Sequence, residues 1–252
     1  MRAYPSQRRG RPYPPQVRNP REKKRPRLIR RLGKSLLVLG LFFVLLSFLL
    51  VLPLRWVNPP TTAFMLHDDS GVRPLQHAWV NWADMGDALP IAVVAAEDQK
   101  FASHSGFDVE SIRDSVDEYA EGEALRGAST ITQQVAKNLY LWPSRSFVRK
   151  GIEAYFAMLL EALLPKKRIL EIYVNVAEFG PGIYGAGAAS KAYFDKTPSA
   201  LDDAEAALLA AVLPNPGRLH VSRPSPYVRD RQAWITGNMQ RLRREQWLLS
   251  LE

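Results

Sequence analysis

The chain has 252 residues, a formal charge of +9 and no cysteine. Its length suits one domain of ordinary size with an appendage, and a hydrophobic fraction of 46% excludes a wholly disordered chain. The lack of cysteine excludes disulfides, thiolate metal sites and a cysteine nucleophile, whereas the positive charge taken alone is typical of a nucleic-acid partner.

The positive charge is concentrated at the N-terminus. Residues 1–34 hold 13 Lys and Arg and a single acid, so the rest of the chain carries a net charge of −3. This basic segment has few apolar residues and is predicted to be a disordered arm that contacts anionic lipid. Because the excess charge lies in the arm, we expect no nucleic-acid partner.

An uncharged run rich in Leu, Val and Phe follows at 35–54. Twenty helical residues span about 30 Å, the hydrocarbon thickness of a bilayer, and Trp56 follows at the position of an interfacial anchor. The run is longer than the apolar region of a signal peptide, and no small-residue cleavage site follows it. We therefore expect one transmembrane helix, and the positive-inside rule predicts a cytoplasmic arm and an extracytoplasmic domain at 55–252.

The remaining residues alternate apolar-periodic segments with short breaks, which predicts a mostly α-helical domain. Capping residues and prolines place helices at about 90–101, 108–121, 129–141, 146–164, 166–176, 201–213 and 227–249. A loop is predicted at 120–128 and a glycine-rich stretch lies at 180–187. The weak strand signal allows only a small sheet around residues 60–80.

The first segment suited to chemistry surrounds Glu97, an acid late in an apolar helix. Partial burial there would suit the carboxyl to proton transfer, and the alternative is an ordinary surface carboxylate at a helix end. Phe101 and His104 follow four and seven residues later, on the same helical face if the helix continues.

The second segment places Ser129, Gln133 and Lys137 four residues apart, with Thr130 and Gln134 beside them. Ser129 is predicted to cap the helix. A helix N-terminus with hydroxyls, amides and a lysine can hold an anion such as phosphate, and the alternative is a solvated helix face.

The third segment places Arg149 and Glu153 four residues apart, with Lys150 adjacent. This spacing is typical of a surface ion pair. It also supplies a second carboxylate beside cationic groups, and two carboxylates in one cleft can divide the work of base and stabiliser. The four histidines lack ligand spacing, so no metal site is predicted.

These segments resemble the ordered motifs of the peptidoglycan glycosyltransferases of glycosyltransferase family 51. AAEDQKFASHSGFD at 95–108, GASTITQQVAKN at 127–138 and RKGIEAYFAMLLE at 149–161 are similar to the first three motifs. The segments 166–194 and 208–216 are similar to the fourth and fifth. Five motifs in family order are far more specific than one match. No S-x-x-K of a transpeptidase domain is present, so the chain is most similar to the monofunctional biosynthetic members of Gram-negative bacteria.

The resemblance implies a lysozyme-like helical glycosyltransferase domain with a large lobe and a small membrane-proximal lobe, preceded by one transmembrane helix. It implies polymerisation of lipid II, a disaccharide-pentapeptide on undecaprenyl pyrophosphate, into glycan strands with inversion and release of undecaprenyl pyrophosphate. Glu97 would be the general base and Glu153 the second catalytic carboxylate.

The resemblance also assigns binding and supporting residues. Substrate or pyrophosphate contacts would come from Ser129, Thr130, Gln133, Gln134, Lys137, Arg145, Arg149 and Lys150. The site would be supported by Asp98, Phe101, His104, Gly106 and Asn138. Ile152 stands where some relatives have a lysine, so contact with the pyrophosphate must depend more on the other cations.

The expected partners are lipid II, the growing glycan strand, membrane lipid and proteins of cell-wall synthesis or division. No cofactor is required, and a divalent cation, Mg²⁺ or Mn²⁺, near the pyrophosphate is compatible with the resemblance. The expected location is the bacterial inner membrane, crossed once, with a cytoplasmic N-terminus and a periplasmic catalytic domain.

Two alternative functions remain at this stage. A lytic, glycan-cleaving enzyme on a lysozyme-like fold is disfavoured by the cationic stripe, because a neutral glycan needs no phosphate site. A non-catalytic scaffold of cell-wall assembly is disfavoured by the presence of both Glu97 and Glu153 within their motifs.

Overall fold

The computed structural model describes residues 25–120, 129–144 and 146–251. Most of the basic arm, the loop predicted at 120–128 and Arg145 therefore lie outside the described residues. The chain divides into two compact units, residues 1–46 and 47–252, and each is described by itself.

The first unit contains most of helix α1 (Arg25–Val51), which is followed by a 3₁₀ turn at Leu52–Arg55. The helix includes residues 25–34, which the sequence analysis assigned to the arm. Leu36, Leu39 and Phe42 are each about 60% exposed, whereas a helix of a soluble core would bury such side chains. Within the described ranges, this is the one helix long and apolar enough to span a bilayer.

The second unit is built mainly from helices, and several of their ends lie within two residues of the predicted caps and breaks. Their bounds are α2 (Ala63–Leu66), α3 (Trp82–Met85), α4 (Ala88–Glu97), α5 (Val109–Ala120), α6 (Ile131–Tyr140), α7 (Phe147–Leu163), α8 (Lys166–Val176), α9 (Gly185–Phe194), α10 (Asp203–Val212) and α11 (Pro226–Arg244). In addition to the 3₁₀ turn at Leu52–Arg55, which belongs to this unit, the described residues include 3₁₀ turns at Pro198–Ala200 and Trp247–Leu251. The last helix thus ends at Arg244 rather than near residue 249.

Helix α4 lies at the centre of the core. All residues from Ala88 to Ala95 are buried, because α10, α11 and α8 pack around the helix. A helix that is apolar on all sides is expected where other helices surround it. Helix α6 packs on α7 and α8, so α8 connects the neighbourhood of α4 to that of α6.

A small sheet joins two distant parts of the second unit. Its strands are β1 (Gln76–His77), β2 (Glu178–Gly180) and β3 (Ile183–Tyr184), in the order β1-β3-β2. β1 is parallel to β3, with His77 opposite Tyr184, and β2 is antiparallel to β3. The sheet predicted around residues 60–80 therefore supplies only β1. The other two strands come from the glycine-rich stretch, and strands of two or three residues are too short to show alternation.

The glycine-rich stretch also begins a helix that the sequence analysis did not predict. Gly185 has a φ of +82°, and a Cβ there would lie 2.5 Å from the carbonyl oxygen of Asn175. Only glycine fits this close approach with a left-handed backbone, and α9 begins at this residue.

Candidate active site

The N-terminus of α6 is fixed by a capping box at Thr130, and not by Ser129 as the sequence predicted. The backbone N–H of Gln133 donates to Thr130 Oγ1 at 3.3 Å, and the Thr130 N–H donates to Gln133 Oε1 at 3.1 Å. Both side chains are buried. Their hydrogen bonds shape the start of the helix, and their contact with substrate stays a prediction.

Thr130 also connects the cap to the first motif. Its hydroxyl donates to the Gly106 carbonyl at 2.7 Å. Gly106 has a φ of +83°, and a Cβ there would lie 3.1 Å from Glu161 Cγ, so glycine is favoured on both grounds. Glu161 in turn accepts hydrogen bonds from Thr132 at 2.5 Å and from Lys166 at 2.8 Å. These contacts hold the first three motifs together.

Glu97 is the last residue of α4, and two other helices reach its carboxylate. Gln134 Nε2 on α6 donates to Oε2 at 2.8 Å, and Arg231 Nη2 on α11 donates to Oε1 at 3.3 Å. The Glu97 side chain is 12% exposed. The buried Tyr173 hydroxyl donates to Gln134 Oε1 at 2.9 Å, which turns the amide NH₂ toward the carboxylate. Glu97 is thus oriented yet open to a ligand.

Asp98 and His104 form a buried support behind Glu97. His104 Nε2 lies 2.8 Å from Asp98 Oδ1, and Asp98 Oδ2 accepts from the N–H of Ile131 at 3.0 Å. A carboxylate at the N-terminus of α6 is also favoured by the helix dipole. Since α4 ends at Glu97, the predicted helix end at residue 101 is wrong and the condition for Phe101 and His104 to share its face is not met. A turn brings His104 to Asp98. Phe101 is fully buried.

The third motif forms an ion cluster at the start of α7. Glu153 is buried, and its two oxygens accept from Arg149 Nη1 at 2.8 Å and from Lys150 Nζ at 2.5 Å. Lys150 Nζ also donates to Ser129 Oγ at 3.2 Å. Ser146 caps the helix, because its Oγ accepts from the N–H of Arg149 at 3.2 Å. The structure therefore brings the predicted residues of the second and third motifs together.

Lys137 on α6 lies in the electrostatic range of both carboxylates. Burial lowers the pKa of its ammonium group, and the charges of Glu153 and Glu97 oppose that shift. The ammonium lies 5.2 Å from the centre of the Phe64 ring, a cation–π distance. A half-buried ammonium group on the wall of the site can pair with an anionic ligand such as a phosphate.

A cavity of about 230 Å³ borders Lys137 and Asn138 and includes Gln134, Tyr173 and Glu178. Asn138 is buried and lies on the wall of this cavity. Burial raises the pKa of Glu178 to about 7, and Asp68 and Asp69 add to this rise. Glu178 is not among the site residues predicted from the sequence.

Glu97 lines two cavities other than the one at Lys137. One, of about 270 Å³, includes Asp98, Ser129 and Thr130. The other, of about 790 Å³, includes Arg231 and residues of α11. The base candidate and the N-terminus of α6 therefore face one shared space.

Arg231 and Tyr173 are site residues that the sequence analysis missed. Arg231 is separated from Glu97 by 134 positions, and nothing in the periodicity of α11 distinguishes it from the other arginines of that helix. Tyr173 lies in the fourth motif, but its hydroxyl acts only through Gln134. Within residues 25–120, 129–144 and 146–251, no group of three or more His, Asp or Glu could hold a metal ion.

A carboxylate at a cavity can take a proton from a hydroxyl, and a separate cationic cluster can stabilise a departing phosphate. The family model described as Transglycosylase matches residues 67–240. The chain belongs to this family and is a glycosyltransferase with the lysozyme-like helical fold.

Curated relatives agree with the family match. The chain is 51% identical to the biosynthetic peptidoglycan transglycosylase of Shewanella oneidensis, over 82% of this chain and 89% of the relative. It is 46% identical to the protein of the same name from Pseudomonas aeruginosa, over 89% of this chain and 98% of the relative. It is 54% identical to that of Shewanella frigidimarina, over 79% and 87%.

Proposed function

We propose that Glu97 is the general base of glycan-strand polymerisation, and that Glu153 organises the cations that stabilise the leaving pyrophosphate. The chain is a peptidoglycan glycosyltransferase, and its substrates are lipid II and the growing glycan strand. One observation carries the division of roles. Both oxygens of Glu153 are engaged by cationic side chains and its side chain is 4% exposed, whereas Glu97 accepts from one amide and one guanidinium, is 12% exposed and lines a cavity.

The reaction is a single displacement. The 4-hydroxyl oxygen of the acceptor's N-acetylglucosamine attacks the anomeric carbon of the donor strand, and its proton passes to Glu97. The bond from that carbon to the phosphate oxygen breaks, and the electron pair leaves on undecaprenyl pyrophosphate. Attack opposite the leaving group inverts the anomeric configuration.

Gln134 and Arg231 act on this step as positioning residues. They donate to different oxygens of Glu97, so the carboxylate cannot rotate freely. Preorganised geometry of this kind lowers the entropic cost of reaching the transition state. Because Tyr173 fixes the orientation of the Gln134 amide, it supports the base from a buried position.

The leaving group develops negative charge on phosphate oxygens, and cations in a site of low dielectric constant stabilise it. We assign this role to Arg149, Lys150 and Lys137, with Ser129 as a polar contact. Arg145 lies outside the described residues and stays a prediction. Glu153 is unsuited to bind a resident Mg²⁺ or Mn²⁺, because Arg149 and Lys150 would repel the ion. Such a cation would bind through the substrate's pyrophosphate.

The N-terminal apolar helix anchors the protein in a membrane. We propose the bacterial inner membrane, with residues 1–34 as a cytoplasmic arm, 35–54 as the span and 55–252 as a periplasmic domain. The charge asymmetry of the chain supports this orientation. Phe147 and Val148 are 98% and 73% exposed, which supports contact of the α7 start with membrane lipid. Association with proteins of cell-wall synthesis or division stays a prediction.

Incubation of the purified, detergent-solubilised chain with labelled lipid II tests the assignment. We expect the wild type to form long strands, and Glu97→Gln to lower the rate by about 10²–10⁴-fold, the usual contribution of a general base. Glu245→Gln removes an exposed carboxylate after α11 and should retain full activity. Full activity of Glu97→Gln with an unchanged melting temperature would contradict the base assignment. Shortening of preformed strands would instead favour the lytic alternative.

A further inference from the structure

Helix α11 carries two large aromatic side chains outside the core. Tyr227 is 58% exposed and Trp234 is 51% exposed, whereas Val228, Ile235, Met239 and Leu242 of the same helix are buried. Residues seven positions apart lie on nearly the same side of a helix, about 10.5 Å apart along its axis. Arg231 lies between them and reaches Glu97. The two aromatics therefore flank the residue that orients the base.

Both aromatics line the cavity of about 790 Å³ that includes Glu97. This volume lies within the range of about 300–1,000 Å³ typical of small-molecule sites. Among the described residues of its wall, Arg231 is the one cation, and its guanidinium already donates to Glu97 and to the Ala96 carbonyl. The cavity is therefore suited to a neutral ligand and not to a phosphate.

A sugar ring matches these properties. The faces of a pyranose present C–H groups with partial positive charge, which pack against the negative face of an aromatic ring. Its hydroxyls need polar partners at the edge, and Asp230 lies in the same wall. The spacing of the two aromatics along α11 is comparable to the length of a disaccharide, which is the sugar portion of lipid II.

We propose that Tyr227 and Trp234 form a sugar platform that holds the acceptor disaccharide with its 4-hydroxyl toward Glu97. This inference rests on the proposed function, because it takes Glu97 as the base. The platform determines where the acceptor binds, and Arg231 couples that position to the base through its contact with the carboxylate. The aromatics touch the substrate without taking part in proton transfer.

Loss of the platform should weaken the binding of lipid II without slowing the chemical step. Replacement of either aromatic by alanine should raise KM for lipid II about tenfold, the loss expected for one aromatic stacking contact with its buried area. The kcat at saturating lipid II should change little. Tyr227→Phe and Trp234→Phe keep a ring and should retain most of the wild-type KM. Arg229→Ala, an exposed change on the same helix, is the matched control.

A binding measurement separates failure of the platform from failure of the proposed function. The probe is the disaccharide of N-acetylglucosamine and N-acetylmuramic acid with its lactyl carboxyl blocked as an amide, as the peptide blocks it in lipid II, titrated calorimetrically into the full-length chain in detergent. We expect Glu97→Gln to bind it as the wild type does, and Tyr227→Ala and Trp234→Ala to bind about tenfold more weakly. Loss of polymerisation in Glu97→Gln with retained binding would support base and platform separately.

Three results would overturn the platform. The first is unchanged disaccharide binding and KM in both alanine variants. The second is a fall in melting temperature in Trp234→Ala that accounts for its loss of binding, which would show a structural role. The third is loss of binding to phosphatidylglycerol vesicles with disaccharide binding intact, which would make the aromatics a membrane contact.

Discussion

The ion cluster on α7 allows a test in which stability and activity respond differently. In the folded chain, Glu153 and Arg149 are 4% and 13% exposed and lie 2.8 Å apart. Replacing Glu153 by leucine leaves the Arg149 guanidinium without its counter-charge, at a cost of about 3 kcal/mol in the free energy of unfolding. Replacing Arg149 by methionine leaves Glu153 with Lys150, so about 1–2 kcal/mol is expected.

The double variant Arg149→Met/Glu153→Leu removes both charges of the buried pair. Lys150 is 47% exposed and remains solvated, so the loss of its ion pair with Glu153 should change the free energy of unfolding little. We expect a total cost of about 1 kcal/mol rather than the sum of the single costs, which corresponds to a coupling energy of about 3–4 kcal/mol. Polymerisation should not recover in the double variant, because the guanidinium that we propose to stabilise the leaving pyrophosphate is still missing. All three variants should lose polymerisation by about 10²-fold or more.

Urea unfolding of the detergent-solubilised chain measures the first quantity, and strand formation from labelled lipid II measures the second. The pair Lys191 and Asp195 is a matched control, since both side chains are more than 70% exposed. A cycle of Lys191→Ala and Asp195→Asn should give a coupling below about 0.5 kcal/mol and leave activity intact. Additive costs at Arg149 and Glu153 would refute the buried pair. Recovery of activity in the double variant would refute their role at the leaving group.

Three further predictions follow from single contacts. Lys137→Met should lower polymerisation about 10²-fold without lowering the melting temperature, because burial already disfavours the ammonium group; an unchanged rate would remove Lys137 from the site. Thr130→Val should lower the free energy of unfolding by about 1 kcal/mol through the lost cap, with the exposed Thr61→Val as control; an equal effect of both would contradict the capping box. Glu178 has a folded pKa of about 7 against 4.5 for the ordinary group, so its stabilising contribution is complete below pH 4.5 and is lost as the pH rises through 7. Glu178→Gln should therefore gain about 1–2 kcal/mol relative to wild type between pH 5 and 8, after allowance for partial exposure, and a pH-independent difference in urea midpoints would refute this.

The sequence predicted helices well where their ends are set by local residues. Helix α8 has the predicted bounds, and α7 differs by one residue at each end, because Ser146 and Pro165 act on their own neighbours. The predicted end of α4 lies four residues too late, since the turn at Asp98 depends on its contacts with His104 and Ile131. Contacts between segments far apart in the sequence cannot be predicted from its local periodicity.

The two glutamines of the second motif show which part of the site can be predicted from the sequence. Thr130 followed three residues later by Gln133 is the sequence signature of a capping box, and it would have separated the buried Gln133 from Gln134. The pairing of Gln134 with Glu97 could not be derived in this way, because it depends on how α6 packs beside the end of α4. For the same reason the motif resemblance led to Glu97 and Glu153, but not to Arg231.

Helix α6 links the two halves of the proposed reaction. Gln134 on this helix donates to Glu97, the proposed base, and Lys137, nearly one turn later, interacts electrostatically with both Glu97 and Glu153. A rigid helix fixes the separation between these two side chains along its axis at about 4.5 Å. The attacking hydroxyl and the departing phosphate must lie on opposite sides of one carbon, so their catalytic groups need a constant spacing. We therefore expect the capping box at Thr130 to serve catalysis as well as stability. Fraying of α6 would displace both Gln134, which positions the proposed base, and Lys137, the proposed phosphate contact.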